Sequence, residues 1–542
     1  MSERARKVRI PFSLFAFSPT RSWHSRLIAP KRYFDRMSNT IALTGGDLTL
    51  ADVVRLAREP KVQVVADPTA RARLAASRAS VERALASGAT IYGINTGFGK
   101  LANVRIGADQ LERLQTNLVR SHAAGVGAPL PPDVVRAMLA LRANVLLRPT
   151  SGVRPALVES LLQVLAAGLI PFVPEQGSVG ASGDLAPLAH VALTLMGEGE
   201  FLGGDGMAIP AGPALKAAGL TPYAFGPKEG LSFLNGTQAQ TALLALLVHD
   251  AEQLWRTAIG AAAMSLEALR GTPTPLDPRI HANRPHPGQL KAAALMRSLL
   301  EASEIRDSHR EDDPRVQDAY SLRCTPQVLG ACWDAIAFAR GVVEIELNAS
   351  TDNPLVFENG DVLSGGNFHG QPVAQALDFL AVTLTTLQAL AERRVERLVN
   401  PDLSAGLPAF LTHDPGLHSG YMMVQITAAS LVAESRTLCM PASIGSIPTD
   451  ANQEDFVPMG MAAAYKTRRI LANGERVVAT ELLCAAQGLE LLKPLRPGRG
   501  VLALYERIRA GGIAPLGDDR PPTPDMERLR GMIARGELAP PE

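Results

Sequence analysis

The chain has 542 residues, 46% of them hydrophobic, with 54 Lys and Arg against 53 Asp and Glu. That is enough chain for several domains and a large core, and a net charge of +1 gives no reason to expect nucleic acid as the main partner. No run of 18 or more apolar residues is free of charge, which argues against a membrane span; Cys324, Cys332, Cys439 and Cys484 form no CxxC pair and read as buried thiols of a reduced cytoplasmic protein, not as a disulfide framework or zinc site.

The balance of charge hides an asymmetry. Residues 1–36 hold nine Lys or Arg and two acids, a segment charge of +7, leaving −6 for the rest. This stretch reads as a transit peptide, a surface-binding basic arm, or a disordered extension that precedes a start at Met37. The last is favoured, because the apolar run around Phe12–Phe17 is too short and interrupted for a secretory signal. Domains are expected at 1–38 (basic extension), 39–234 (N-terminal domain), 235–492 (long-helix bundle) and 493–542 (tail).

In chain order, Thr44–Leu56 predicts a helix capped by Asp47 or Thr49, and Arg71–Ala86 a second. Ile91–Arg105 breaks periodicity with Gly93, Gly97 and Gly99 and reads as a functional loop; without Gly-Lys-Ser/Thr it is no P-loop. Helices are predicted over Gln110–Ala123, Pro131–Leu147 and Val153–Ala167. Asp184 is placed as the N-cap of another, which aims a helix N-terminus at Ser182. Glu200–Pro227 is Gly/Pro-rich and reads as a hairpin or loop excursion. Long helices follow over Asn235–Arg270, Gln327–Ala349, Pro372–Val399, Ser419–Arg436 and Met461–Leu492, with short strand windows only near Val356 and Val362. Helices this long, apolar almost all round, predict a mainly α fold with a buried bundle core. Other subunits are expected to cover part of their surface.

The stretch with the most chemistry is GSVGASGDLAPLAH, Gly177–His190. If the backbone bends hard enough, the nitrogen of Gly183 attacks the carbonyl carbon of Ala181 and closes a five-membered ring. Two waters leave, one from the ring carbon and one from Ser182, whose Cβ becomes an exocyclic methylene. Gly183 offers no Cβ to block the attack. The tripeptide alone is weak evidence, since Ala86-Ser87-Gly88 repeats it where a helix end is expected.

The longer context resembles the cofactor-forming motif of the aromatic amino acid ammonia-lyases, above all the histidine ammonia-lyases. The resemblance runs over roughly residues 40–510. It includes YGINTGFG with Tyr92, SHAAG with His122, FLNGTQ with Asn235 and VQDAYSLRC with Gln317, Tyr320 and Arg323. GGNFH with Phe368, SGYM with Met422 and NQED with Glu454 complete it. It implies an ammonia-lyase-like fold whose N-terminal domain carries a 4-methylidene-imidazol-5-one cofactor formed from Ala181, Ser182 and Gly183. It also implies a homotetramer with shared active sites, L-histidine as substrate and trans-urocanate as product.

Residue types suit those roles. Arg323 can pair bidentately with an α-carboxylate; Asn235 and Gln317 can hydrogen-bond the cofactor carbonyl or substrate carboxylate. Tyr92 and Tyr320 are candidates for proton transfer, helped by Glu454, although a phenol with a pKa of ~10 needs a cation or hydrogen bond to become a base. His122 and Glu454 suit an imidazole, and Phe368 and Met422 would wall the pocket. Singly, each has a plainer reading: Arg323 an interface ion pair, Tyr92 a packing residue, His122 a helix-end cap, Glu454 a solvated turn. No metal-ligand spacing is found; His281 and His286 read as structural.

The pattern departs from the histidine enzymes at Ala319, Thr325, Ser435-Arg436, Met440, Gly445, Phe456 and Pro458. Some departures lean toward tyrosine or phenylalanine ammonia-lyases or an aminomutase. Ser121-His122 and Glu454 point back to histidine, because a buried carboxylate facing a bare phenyl ring would stay unpaired. An inactive helical scaffold is the remaining alternative.

Overall fold

The computed structural model describes residues 39–87, 90–311 and 313–541. The basic N-terminal segment and Gly88 lie outside the described residues. Local rules set most helix starts. Thr49, not Asp47, caps the Leu50–Arg58 helix: Thr49 Oγ1 accepts from Asp52 N at 3.2 Å, and Asp52 Oδ2 accepts from Thr49 N at 3.1 Å. Two orphan donors are thereby satisfied at once. Asp67 caps Pro68–Ala86 by accepting from Ala70 N at 2.9 Å, so that helix begins three residues before the periodic pattern does. Proline opens Pro132–Leu146 and Pro155–Ala166, where its missing N–H costs nothing.

The core is a set of long helices: Gln238–Ala268, Thr325–Glu346, Gln371–Val399, Met422–Leu438 and Gly460–Leu491. Gly460–Leu491 packs most extensively, against Gln371–Val399 and Gln238–Ala268. Gln238–Ala268 is buried on nearly every side, which matches its all-round apolar sequence. Trp255 is fully buried, and its Nε1 donates to Leu329 O at 2.6 Å. Arg394 and Glu481 form a buried pair, with Nη2 to Oε2 at 2.8 Å. Removing either partner would strand a desolvated charge.

Gln371–Val399 is long and apolar enough, by length and composition alone, to cross a membrane. The charge-free criterion applied to the sequence passed over it. Two thirds of its apolar window is buried inside the fold, as befits a core helix. Phe379 and Val382 remain exposed on this helix itself, and Phe338, Ile345, Met423 and Ile426 on its neighbours. Apolar exposure on that scale marks an interaction surface.

Strands are few and short. The described residues hold four two-stranded sheets. The hairpin Glu200–Leu202 with Ala208–Pro210 and the pair Leu355–Val356 with Val362–Leu363 fall where the sequence placed them. The parallel pair Thr40–Leu43 with Gln63–Ala66 and the antiparallel pair Val126–Pro129 with Pro174–Gln176 were not anticipated. Residues 40–542 form one compact unit. The four cysteines are free; Cys332 and Cys484 are buried as expected, but Cys324 and Cys439 are only half-buried.

Candidate active site

The Gly177–Asp184 segment is folded back on itself. Gly180 and Gly183 face each other as an antiparallel bridge, and Gly183 also pairs with Gly236. Gly183 has φ +76°, and a Cβ there would collide with the Gly236 backbone, so only glycine fits. The turn is anchored at three points: Asp184 N donates to Gly236 O at 2.7 Å, Gly370 N to Gly180 O at 3.0 Å, and Met459 N to Val179 O at 2.9 Å. A ring closed between residues 181 and 183 needs a reversed backbone and no side chain at 183, and this segment meets both demands.

Ser182 sits at the tip. Its carbonyl accepts from Asn235 Nδ2 at 2.7 Å, and its hydroxyl donates to Glu454 Oε1. Asn235 ends the Glu229–Leu234 helix. The fully buried Arg142 holds its carbonyl, at 3.3 Å, together with that of Ser232, a cation placed where a helix leaves carbonyls unpaired. Burial lowers the Arg142 guanidinium to about 10. Glu454 is fixed by a turn in which Asp450, Ala451 and Asn452 all have positive φ, and its Oε2 accepts from Thr449 Oγ1 at 2.7 Å.

Asp184 is not the side-chain cap expected of it. The Leu185–Met196 helix does begin just after it, but without a side-chain cap bond. The carboxylate instead accepts from Ser178 Oγ at 3.0 Å, Gln240 N at 2.9 Å and Gln240 Nε2 at 3.3 Å. It thus ties the turn to the start of the Gln238–Ala268 helix. Full burial raises its pKa to about 6 against these hydrogen bonds.

Two cavities of about 440 and 690 Å³ meet here and share Tyr92, Gly99, Ser182, Asn235, Asp450 and Glu454. The first adds Ala181, Phe368, His369 and Phe456; the second adds His122 and the apolar Phe98, Leu231 and Leu234. His122 closes the Leu111–His122 helix, and its Nδ1 donates to Leu118 O at 2.9 Å. Burial lowers its pKa, so the ring is neutral and its Nε2 is an acceptor. The Tyr92 phenol accepts weakly from Gly99 N at 3.5 Å. Burial pushes its pKa up, and Asp450 and Glu454 push the same way, which is opposite to what a base needs.

The structure therefore brings Tyr92, His122, Ala181, Ser182, Asn235, Phe368 and Glu454 together. It does not bring Gln317, Tyr320, Arg323 or Met422 to this cleft. Gln317 and Arg323 line a separate cavity of about 450 Å³. Tyr320 is 70% exposed under the Arg323 guanidinium, 4.4 Å from its ring centroid, and Met422 is exposed. Sequence reading missed Asp450, which accepts from Lys100 N at 3.0 Å and joins the Gly-rich loop to the Glu454 turn. It also missed Gln240; both act through folding partners far along the chain.

A sequence profile of the family described as aromatic amino acid lyase matches residues 48–510. The chain belongs to the aromatic amino acid lyase family. It is 52% identical over 507 residues to a histidine ammonia-lyase of Anaeromyxobacter dehalogenans, covering 92% of this chain and 99% of that one. As an aromatic amino acid lyase it also shares its fold with the crystal structure of histidine ammonia-lyase from Trypanosoma cruzi. That match has a TM-score of 0.85 and 43% identity, covering 92% of this chain and 94% of that one. Tyrosine aminomutase from Streptomyces globisporus matches at TM-score 0.87 and 39% identity, over 92% and 97% of the two chains.

Proposed function

We propose that the chain is a histidine ammonia-lyase, eliminating ammonia from L-histidine to give trans-urocanate. The observation that carries this reading is the convergence of His122, Asn235 and Glu454 on Ser182 in one cleft. We infer that Ala181, Ser182 and Gly183 form a 4-methylidene-imidazol-5-one. Once formed, that group supplies the electrophile that makes the substrate amine a leaving group.

The chain's own residues do the rest. Asn235 holds the carbonyl of residue 182, withdrawing electrons from the reacting segment. Glu454 accepts the imidazole N–H, His122 lines the same cleft, and Phe368 walls the ring. Tyr92 takes the β-proton, which requires its raised pKa to fall. Arg323, Tyr320 and Gln317 of another copy of the chain lower it and bind the carboxylate, with Met422 closing the pocket. The exposed apolar helix faces support such a homotetramer, working in the cytoplasm on a small molecule. A second reading, a tyrosine or phenylalanine lyase or aminomutase on the same cofactor, draws on Phe456. That aromatic residue lies against His369 at 6.1 Å between ring centroids, where it could pack on a substrate ring.

Intact mass tests the cofactor. Wild type should be lighter than its sequence by about 36 Da, two waters, and Ser182→Ala should keep its full mass and lose activity. A wild-type chain of full mass would overturn the reading and leave the inactive scaffold.

A further inference from the structure

Away from the cleft, residues 412–420 form the loop that leads into the Met422–Leu438 helix, and it carries His413, Asp414 and His418. One ligand atom from each lies within 4.8 Å of the other two. The imidazole centroids are 4.9 Å apart. His413 Nε2 is 3.5 Å from Asp414 Oδ2. A second segment closes in from the C-terminal region: His418 Nε2 is 3.6 Å from Asp518 Oδ1, and its Nδ1 is 4.0 Å from Asp519 Oδ1.

These five groups are unequal. Asp519 is fixed, because its carboxylate accepts from Ser419 N at 2.8 Å and Gly420 N at 3.0 Å. His418 is held beside it with a side chain only 15% exposed, whereas those of His413 and Asp414 are 48% and 64% exposed. One imidazole is thus set by the fold, and Asp519 N donates to its Nδ1 at 3.4 Å. A second imidazole and a carboxylate can swing in. Asp414, Asp518 and Asp519 set three carboxylates beside the imidazoles, a field that draws cations.

We propose that His413, Asp414 and His418 form a binding site for a divalent transition metal, Zn²⁺. Two imidazoles and one carboxylate are an ordinary Zn²⁺ donor set, with water completing the coordination. Tetrahedral bonds of about 2.0–2.1 Å put ligand atoms about 3.4 Å apart, so the exposed His413 and Asp414 close on His418 by rotamer change. Binding would stiffen the loop that precedes the buried Tyr421 and would clasp it more tightly to residues 518–519. The site lies outside the Ser182 cleft and stands whether or not the lyase reading does.

The test uses the full-length chain without an affinity tag, stripped with EDTA and dialysed. Zn²⁺ is titrated by calorimetry, and bound metal is counted after gel filtration. One equivalent per chain should bind at micromolar Zn²⁺. The His413→Ala, His418→Ala double variant should lose it. Co²⁺ substituted into wild type should give the visible bands of low-symmetry coordination, absent from the double variant. Should the double variant misfold by circular dichroism, His413→Ala alone serves, since that side chain is half exposed. No binding to wild type, or an equivalent retained by the His variants, would overturn the proposal.

Discussion

Around Ser182 the polar groups meet one another inside the chain. Asn235, Glu454 and Asp184 each find partners more than 50 residues away. Around Arg323 they stand open: Arg323 Nε and Gln327 Oε1 are buried without hydrogen-bond partners, and Tyr320 projects from the surface. Since an unpaired buried donor costs about 1–3 kcal/mol, the second region reads as half of an arrangement. The difference teaches that one chain builds the Ser182 turn and its clamps, while the polar groups around Arg323 lie away from it.

The largest effect is expected at the turn itself. Ser182→Ala should cut activity by at least about 1000-fold without unfolding the chain, since the alanine keeps the backbone and Asn235 binds only the carbonyl. Gly183→Ala should be worse, losing soluble expression as well, because its Cβ meets the Gly236 backbone. Soluble protein with wild-type mass loss would contradict that.

The contrast between the regions is broken or sharpened by mixing. Arg323→Ala alone should lower kcat/KM about 100-fold. Co-expressed with Ser182→Ala, it should recover activity, since random assortment leaves roughly a quarter of sites with both residues if they come from different copies. No recovery would mean that both residues serve the site of a single chain.

Glu454→Gln should lower kcat/KM for histidine about 10–100-fold, the cost of a lost charged hydrogen bond of about 1.4–2.7 kcal/mol. Intact mass separates this from failed ring formation, given the contact with Ser182. An unchanged KM and kcat would remove Glu454 from imidazole recognition.

The smallest effect concerns Asp184. Its pKa is raised on folding, so its contribution to stability is full below its unfolded value of 3.8 and is lost as pH rises through about 6. At most this is about 3 kcal/mol. Asp184→Asn has no such titration, so the melting temperature of wild type relative to the variant should fall between pH 4 and 7. A constant difference would mean that Asp184 is solvated or paired otherwise.

Much of this was legible in the sequence where the rule is local. Long helices followed from apolar runs without proline, and the Glu200–Pro227 hairpin from its glycines. Tyr92, His122, Asn235 and Glu454 were named by motif, and they converge. Three things were hidden. Asp184 looked like a cap because Gln240, its partner, lies 56 residues on. The Thr40–Leu43 strand is four residues long and pairs across a helix, which leaves no periodic signal. The raised pKa of Tyr92 comes first from burial and then from Asp450 and Glu454, brought in by a turn of positive φ that the sequence does not announce.

The most direct measurement is a spectrophotometric assay of the purified chain with L-histidine, L-tyrosine and L-phenylalanine in parallel, following the conjugated acrylate. Urocanate from histidine, with no product from the other two, is the predicted result and would make Phe456 a tolerated difference. Coumarate or cinnamate in its place would contradict the account and mean that His122 and Glu454 face a ring without nitrogen.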